Sequence, residues 1–396
     1  MDQANSEHFR WTGDGSGLSV LYAVLRKVVY TQDLYRDLLS ILGGLKTKAQ
    51  LVVDAFQLLL SYPKRIKHDD RHHLLKALMR LSDRTQQYPT CLTLAQVECD
   101  DQPMTAGNFG EVYRGRFQGQ NVALKVVKLY QKSAVLKNIQ AVSREAIIWS
   151  NLSHRNVLPF YGIYQLDDKY KRICMVSPWM ENGNVQDYLK QGLCPNRVWL
   201  LSDVASGIAY LHANGVIHGD IKGMNILITD SGHACLTDFG LSNIAESNII
   251  SWSSVCSSSS HSGTIRWQAP EFFNPEDEAN RPKTTKSDIY AFACVCYEIM
   301  TGNIPFYEYS RDPTVMIKVM HGSRPSKPAP DSDAFVSFGL TELIWELMER
   351  CWQREPSLRP EAKDLLNDSS LCIHDSRPTF CWSEESRFRI SMALPS

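Results

Sequence analysis

His218-Gly219-Asp220-Ile221-Lys222-Gly223-Met224-Asn225, followed by the apolar run Ile226-Leu227-Ile228, is the most chemically dense stretch of the chain. An imidazole, a carboxylate, an ammonium and an amide fall close together, broken by two glycines, and a short strand then anchors the loop. A carboxylate can orient a hydroxyl and take its proton, a cation can steady a transferred anionic group, and an amide oxygen suits a hard ion such as Mg²⁺. A second carboxylate follows in Asp238-Phe239-Gly240.

Upstream of this loop the texture changes at about Thr93 to alternating strands. Met104 to Gly115 forms a glycine-rich turn in which Gly107 and Gly110 let backbone N–H groups approach phosphates without a Cβ in the way. In Asn121-Val122-Ala123-Leu124-Lys125-Val126-Val127 a lysine sits mid-strand, which is costly unless it is paired. From Ser143 to Leu152 helical periodicity puts Ile148, Trp149 and Leu152 on adjoining faces and leaves Glu145 free to point elsewhere. Arg172 to Met180 reads as a strand running into a hinge. Arg197 to Leu211 reads as an amphipathic helix with Leu200, Val204, Ile208 and Leu211 on one face. Beyond Gly240 lies a serine-rich run, Ser251 to Ser262, closing on Gly263-Thr264-Ile265-Arg266-Trp267-Gln268-Ala269-Pro270-Glu271.

In this order and at this spacing, the motifs resemble the catalytic core of a eukaryotic protein kinase from about Thr93 to Asn367. Lys222 is of serine/threonine-kinase type, while Arg266-Trp267 and Cys351-Trp352 have a tyrosine-kinase flavour, so the resemblance is to the tyrosine-kinase-like group. It implies an α+β, bilobal kinase fold with a small, mainly β lobe and a large, mainly α lobe, preceded by a helical N-terminal region. The implied segments are a helical module over 1–90, the small lobe and hinge over 91–181, the large lobe over 182–367, and a loose C-terminal tail over 368–396.

The resemblance also implies roles. Asp220 is the catalytic base and Lys222 sits by the γ-phosphate of ATP. Lys125 reaches the α/β-phosphates and is steered by Glu145. Asn225 and Asp238 hold Mg²⁺. Gly107, Gly110 and Val112 match the phosphate-covering loop, with Thr105 standing where its first glycine belongs. Ala123, Leu227 and main-chain groups of Pro178 and Met180 belong to the adenine site, beside Ser177 as a small gatekeeper. Thr264 bonds the catalytic pair, Glu271 pairs with Arg359, and Asp288 holds the backbone of the catalytic loop. One departure stands out. Many kinases carry an arginine at the Gly219 position, where its cation meets a phosphate on the activation segment. Its loss implies that phosphorylation of the serines between Ser251 and Ser262 does not switch the enzyme through this loop.

The N-terminal ninety residues carry no catalytic cluster. After glycines at 13, 15 and 17, three amphipathic helices are expected. Their stripes are Leu34, Leu38 and Leu42; Leu45, Val52, Phe56 and Leu59; and Leu74, Leu75, Leu78 and Leu81, the last opened by Asp69-Asp70. Leu18 to Tyr30 is ambiguous. The i, i+4 pair His68 and His72 reads as a solvated face. The module either serves as a docking or regulatory element, with a protein partner for its helices, or merely packs against the kinase core and stabilises it, and its residues do not choose between these readings.

Composition bounds the rest. At 396 residues and 43% hydrophobic there is ample core for one bilobal domain and a companion. The net charge of −1 gives no footprint for nucleic acid. No apolar run approaches the ~20 residues of a membrane span, and the opening residues lack a secretory pattern. The 11 cysteines are scattered without a C-x-x-C pair, which suits reduced thiols and an intracellular, cytoplasmic setting. The expected activity is transfer of the γ-phosphoryl group of ATP, with Mg²⁺, to serine or threonine hydroxyls of protein substrates. The alternatives are a pseudokinase scaffold, against which stands the presence of Lys125, Asp220 and Asp238, and a tyrosine or dual-specificity kinase.

Overall fold

A computed structural model describes residues 15–107, 110–127, 135–167, 172–238, 264–273 and 282–382. Asn108 and Phe109 of the glycine-rich turn, Phe239, Gly240, the serine-rich run, Gly263, Gly13 and tail residues 383–396 lie outside the described residues. The chain divides into two compact units, residues 1–93 with 129–151 and residues 94–128 with 152–396.

The first unit is helical, with α1 (Gly15–Tyr30), α2 (Gln32–Leu42), α3 (Lys46–Leu60), α4 (His68–Thr85) and, from later in the chain, α5 (Val135–Ser150). The α4 stripe is buried as its spacing requires, with Leu74, Leu78 and Leu81 fully enclosed. In α2 the inward face is Tyr35 and Leu42, while Leu34 is exposed. The Tyr35 hydroxyl donates to the carbonyl of Ala77, so an aromatic with a polar tip wins the position from a leucine. In α3, Val53, Phe56 and Leu59 face inward and Leu45 is left outside as the residue before the helix.

Asp70, expected only as a first-turn acid, is a buried hub. It accepts hydrogen bonds from the hydroxyls of Tyr22 and Tyr30 and from Arg26 Nε at 2.8 Å, pinning α1 to α4. Burial alone would push this carboxyl up, but the three donors outweigh it and hold it at about 2. Helix α5 joins the same unit: Arg144 pairs with Asp83 of α4, and buried Asn151 donates to Gln57 of α3 at 3.1 Å.

The second unit opens with strands β1 (Glu98–Cys99), β2 (Thr105–Gly107), β3 (Gly110–Phe117), β4 (Gln120–Val126), β5 (Gly162–Gln165) and β6 (Ile173–Pro178). They form an antiparallel sheet in the order β1-β3-β4-β6-β5, with β2 also paired to β3. Val122, Leu124 and Val126 of β4 turn into a core with Tyr113, Tyr161, Cys174 and Val176, so Ala123 and Lys125 take the opposite face. The helical part contains α6 (Val185–Lys190), α7 (Val198–Ala213) and the hairpin of β7 (Ile226–Ile228) and β8 (Ala234–Leu236). It continues with α8 (Thr285–Thr301), α9 (Asp312–Met320), α10 (Asp333–Val336), α11 (Glu342–Cys351) and α12 (Ala362–Leu365). Leu200, Val204, Ile208 and Leu211 of α7 are all buried, as their spacing requires.

Helix α8 is buried on every side from Ser287 to Met300, which marks it as the spine of this part. A capping box fixes its start: Thr284 accepts from the Ser287 amide at 3.1 Å and Ser287 Oγ accepts from the Thr284 amide at 3.0 Å.

The tail differs from its expectation over 368–382. Arg377, 8% exposed, reaches Asp203 at 2.8 Å and the carbonyl of Gly232 at 2.6 Å, and lies over the Trp199 ring. His233 meets the carbonyl of Pro378 and stacks on Phe380. Ionic and ring contacts seat this stretch on α7 and the β7–β8 turn without regular structure, so no periodicity announced it.

The Asp70 hub yields a pH dependence. A carboxyl held below its unfolded value stabilises fully above the ordinary carboxylate range and loses that contribution as pH falls through about 4 towards 2. In the full chain, Asp70→Asn is expected to lower hydrogen-exchange protection of the α1 and α4 amides by about 2 kcal/mol at pH 7, and by roughly half that at pH 3. An unchanged gap at the two pH values contradicts the assignment.

Candidate active site

The strand lysine finds a carboxylate. Lys125 Nζ lies 2.5 Å from Asp238 Oδ1, which joins β4 to the turn after β8. Burial works against ionisation of Asp238, but the charge and hydrogen bond of Lys125, with His218 and Lys222 nearby, outweigh it and hold this carboxyl below its usual range. Asp238 itself sits at φ 63, in the left-handed region that side chains other than glycine adopt only when held there.

The opening loop forms a second cluster in the same unit. Lys222 Nζ donates to Asp220 Oδ2 at 2.8 Å and to Thr264 Oγ1 at 3.1 Å. Asn225 Nδ2 donates to the carbonyl of Asp220 at 2.7 Å and to its Oδ2 at 2.9 Å. Asp220 is therefore fixed by two side chains from its own loop. His218 is fully buried and held below the usual imidazole range by that burial, and its Nδ1 accepts from the Asp220 amide at 3.3 Å. It shapes the loop and is not placed as the base.

Two carboxyls of α8 hold the loop backbone. Asp288 accepts from the amides of His218 at 2.9 Å and Gly219 at 2.8 Å, and from His212 Nε2 at 2.9 Å. Glu298 accepts from the Gly223 amide at 3.0 Å, from Trp267 Nε1 at 3.1 Å, and from Gln186. Both glycines are needed. Gly219 sits at φ 74, and a Cβ on Gly223 would meet Glu298 Oε1 at 2.5 Å. Burial raises the Glu298 carboxyl above its usual range in spite of its three donors.

The remaining residues take these places. Ala123 lies across from Ser177, and Val122 across from Pro178, on adjacent strands. Met180 is buried, with its carbonyl accepting from the Gly183 amide at 3.1 Å. Leu227 is partly exposed between buried Ile226 and Ile228. Gly107 and Gly110 pair at the end of the β2–β3 ladder, and Val112 lies opposite Lys125. Glu145 lies on α5, in the first unit. Glu271 and Arg359 make a bidentate pair, with both distances 2.7 Å and Arg359 fully buried.

The donors fit a hard divalent ion. Asn225 uses its amide nitrogen on Asp220, which leaves its oxygen for a cation, and Asp238 is a carboxylate kept ionised by its neighbours. Mg²⁺ commonly takes one or two protein oxygens and completes its shell with phosphates and water.

Sequence reading missed Glu298, Gln186 and His212. Glu298 carried a usable signal, since it is the lone acid in the apolar run from Ile289 to Met300. Such a residue inside a helix buried all round must be paired.

A model of the family "Protein tyrosine and serine/threonine kinase" matches residues 100–368. Serine/threonine-protein kinase STY17 of Arabidopsis thaliana is 27% identical over 316 residues, covering 78% of this chain and 50% of that protein. Cell division control protein 7 of Schizosaccharomyces pombe is 33% identical, covering 69% of this chain and 24% of that protein. Serine/threonine/tyrosine-protein kinase HT1 of Arabidopsis thaliana is 28% identical over 69% of this chain and 66% of that protein. The chain thus spans half or less of two of these relatives. With the motifs in order and the loop geometry in place, the chain belongs to the protein tyrosine and serine/threonine kinase family.

Proposed function

We propose that the chain transfers the γ-phosphoryl group of ATP to serine or threonine hydroxyls of protein substrates. The observation that carries this reading is the Lys222–Asp220–Asn225 arrangement, closed by Thr264. Asp220 accepts the hydroxyl proton. Lys222 supplies positive charge beside it. Lys125, steered by Glu145, binds the α/β-phosphates. Asn225 and Asp238 hold Mg²⁺, which when bound shields the phosphate charge. Ala123, Leu227, Pro178 and Met180 enclose the adenine, and Gly107, Gly110 and Val112 cover the phosphates.

Retention of Lys125, Asp220, Asn225 and Asp238 argues against a scaffold without turnover. Dual specificity is the second reading, favoured by the name of the HT1 relative, a serine/threonine/tyrosine-protein kinase. Ten described cysteines are free, which supports a reducing, intracellular setting. Among the described residues no helix is long and apolar enough to cross a membrane.

Glu145 follows Arg144, whose guanidinium grips Asp83 of α4, so the helical module sets the position of α5 and through it Glu145.

Asp220→Asn is expected to cut the steady-state rate of phosphoryl transfer by roughly 10²–10⁴ while ATP affinity stays nearly constant. A rate equal to wild type on a generic protein substrate would show that the base lies elsewhere. Arg144→Ala and Asp83→Ala are each expected to lower the rate about threefold, and the double variant to be no worse than either single one. Additive losses would mean that the pair does not transmit a position to α5.

A further inference from the structure

Lys283 is a cation that the reaction above does not use. It stands one residue before the cap of α8 and is only partly exposed. It lines a small cavity together with Gly219, Asp220, Thr264, Gln268 and Phe272. Its ammonium lies 4.7 Å from the centre of the Phe272 ring and makes no hydrogen bond or ion pair among the described residues.

The nearby carboxylates are committed elsewhere. Asp220 is taken by Lys222 and Asn225, and Asp288 by His212 and two backbone amides. An ammonium has three donors, and leaving them unused in a partly dry site is unfavourable until an anion arrives. Burial also lowers the Lys283 ammonium below its usual range, the mark of a charge short of compensation. The cavity, of ≈ 20 Å³, suits the tip of a side chain and not a whole second ligand.

We propose that this cavity is a subsite for an acidic side chain of the protein substrate, close to the hydroxyl that receives the phosphate, with Lys283 as its counter-ion. The proposal rests on the phosphoryl-transfer reading, because it is the position of Asp220 that makes the cavity adjacent to the reacting hydroxyl. Lys283 then selects among serine and threonine sites by the charge of a neighbouring residue. A carboxylate seated there gains a charge-assisted hydrogen bond that an alanine cannot make.

The test uses the full chain with MgATP and peptides carrying one serine, flanked at each of the three positions on either side by Asp, Ala or Lys. At the best position kcat/KM for Asp over Ala is expected to be about tenfold, falling to about one for Lys283→Gln and returning with Lys283→Arg. An undiminished preference in Lys283→Gln, or none in wild type, overturns the proposal. Fluorescence anisotropy of the same labelled Asp and Ala peptides, without turnover, separates this failure from that of the function. Tighter binding of the Asp peptide that is lost in Lys283→Gln supports the subsite even if no phosphate is transferred, whereas equal binding of the two peptides overturns it.

Discussion

The active loop depends on two carboxyls carried by one buried helix. Asp288 and Glu298 stand about 15 Å apart along α8 at the usual rise per residue. Each takes backbone N–H groups from the loop between His218 and Gly223. The helix therefore acts as a ruler against which the loop is laid. Because α8 is enclosed on every side, its carboxyls have little freedom to move, and the loop inherits that rigidity. The two glycines that interrupt the loop are the complement of this grip, one supplying a left-handed backbone and the other a close approach.

With the backbone held, the side chains need few further constraints. Lys222 and Asn225 converge on Asp220 from the same short segment, and Thr264 extends the set from a separate one. Under the proposed function, preorganised groups of this kind need little rearrangement when the reacting hydroxyl arrives, since placement is the main task in phosphoryl transfer. The Lys125–Asp238 pair joins the sheet to this region through charge. The same economy explains Gly219, whose conformation suits glycine independently of whether an arginine there would serve a regulatory purpose.

Much of this was legible in the residues because local chemistry and periodicity carried it. The α4 and α7 stripes and the strand alternation around Lys125 each follow from a pattern visible over a few residues, whereas the Glu271–Arg359 pair and the Asp288 anchor were expected only through the resemblance to kinases. What escaped were contacts between distant, non-periodic segments. Asp70 looked like a first-turn acid because its partners lie forty or more residues away in α1. Arg377 looked like part of a loose tail because nothing in its neighbourhood pointed to Asp203. Tyr35 took the inward place on α2 because its hydroxyl could reach a carbonyl, which a count of leucines cannot register.

If α8 sets the catalytic geometry through the loop backbone, Gly223→Ala must disturb that geometry. An added methyl must displace the Glu298 carboxyl, held as it is by three donors. The measurement is the phosphoryl-transfer rate of the full-length variant at a temperature where its circular dichroism and thermal melt still report a folded chain. The expected rate is at least about tenfold below wild type, equivalent to roughly 1.4 kcal/mol of lost transition-state stabilisation. A folded variant with the wild-type rate would contradict it.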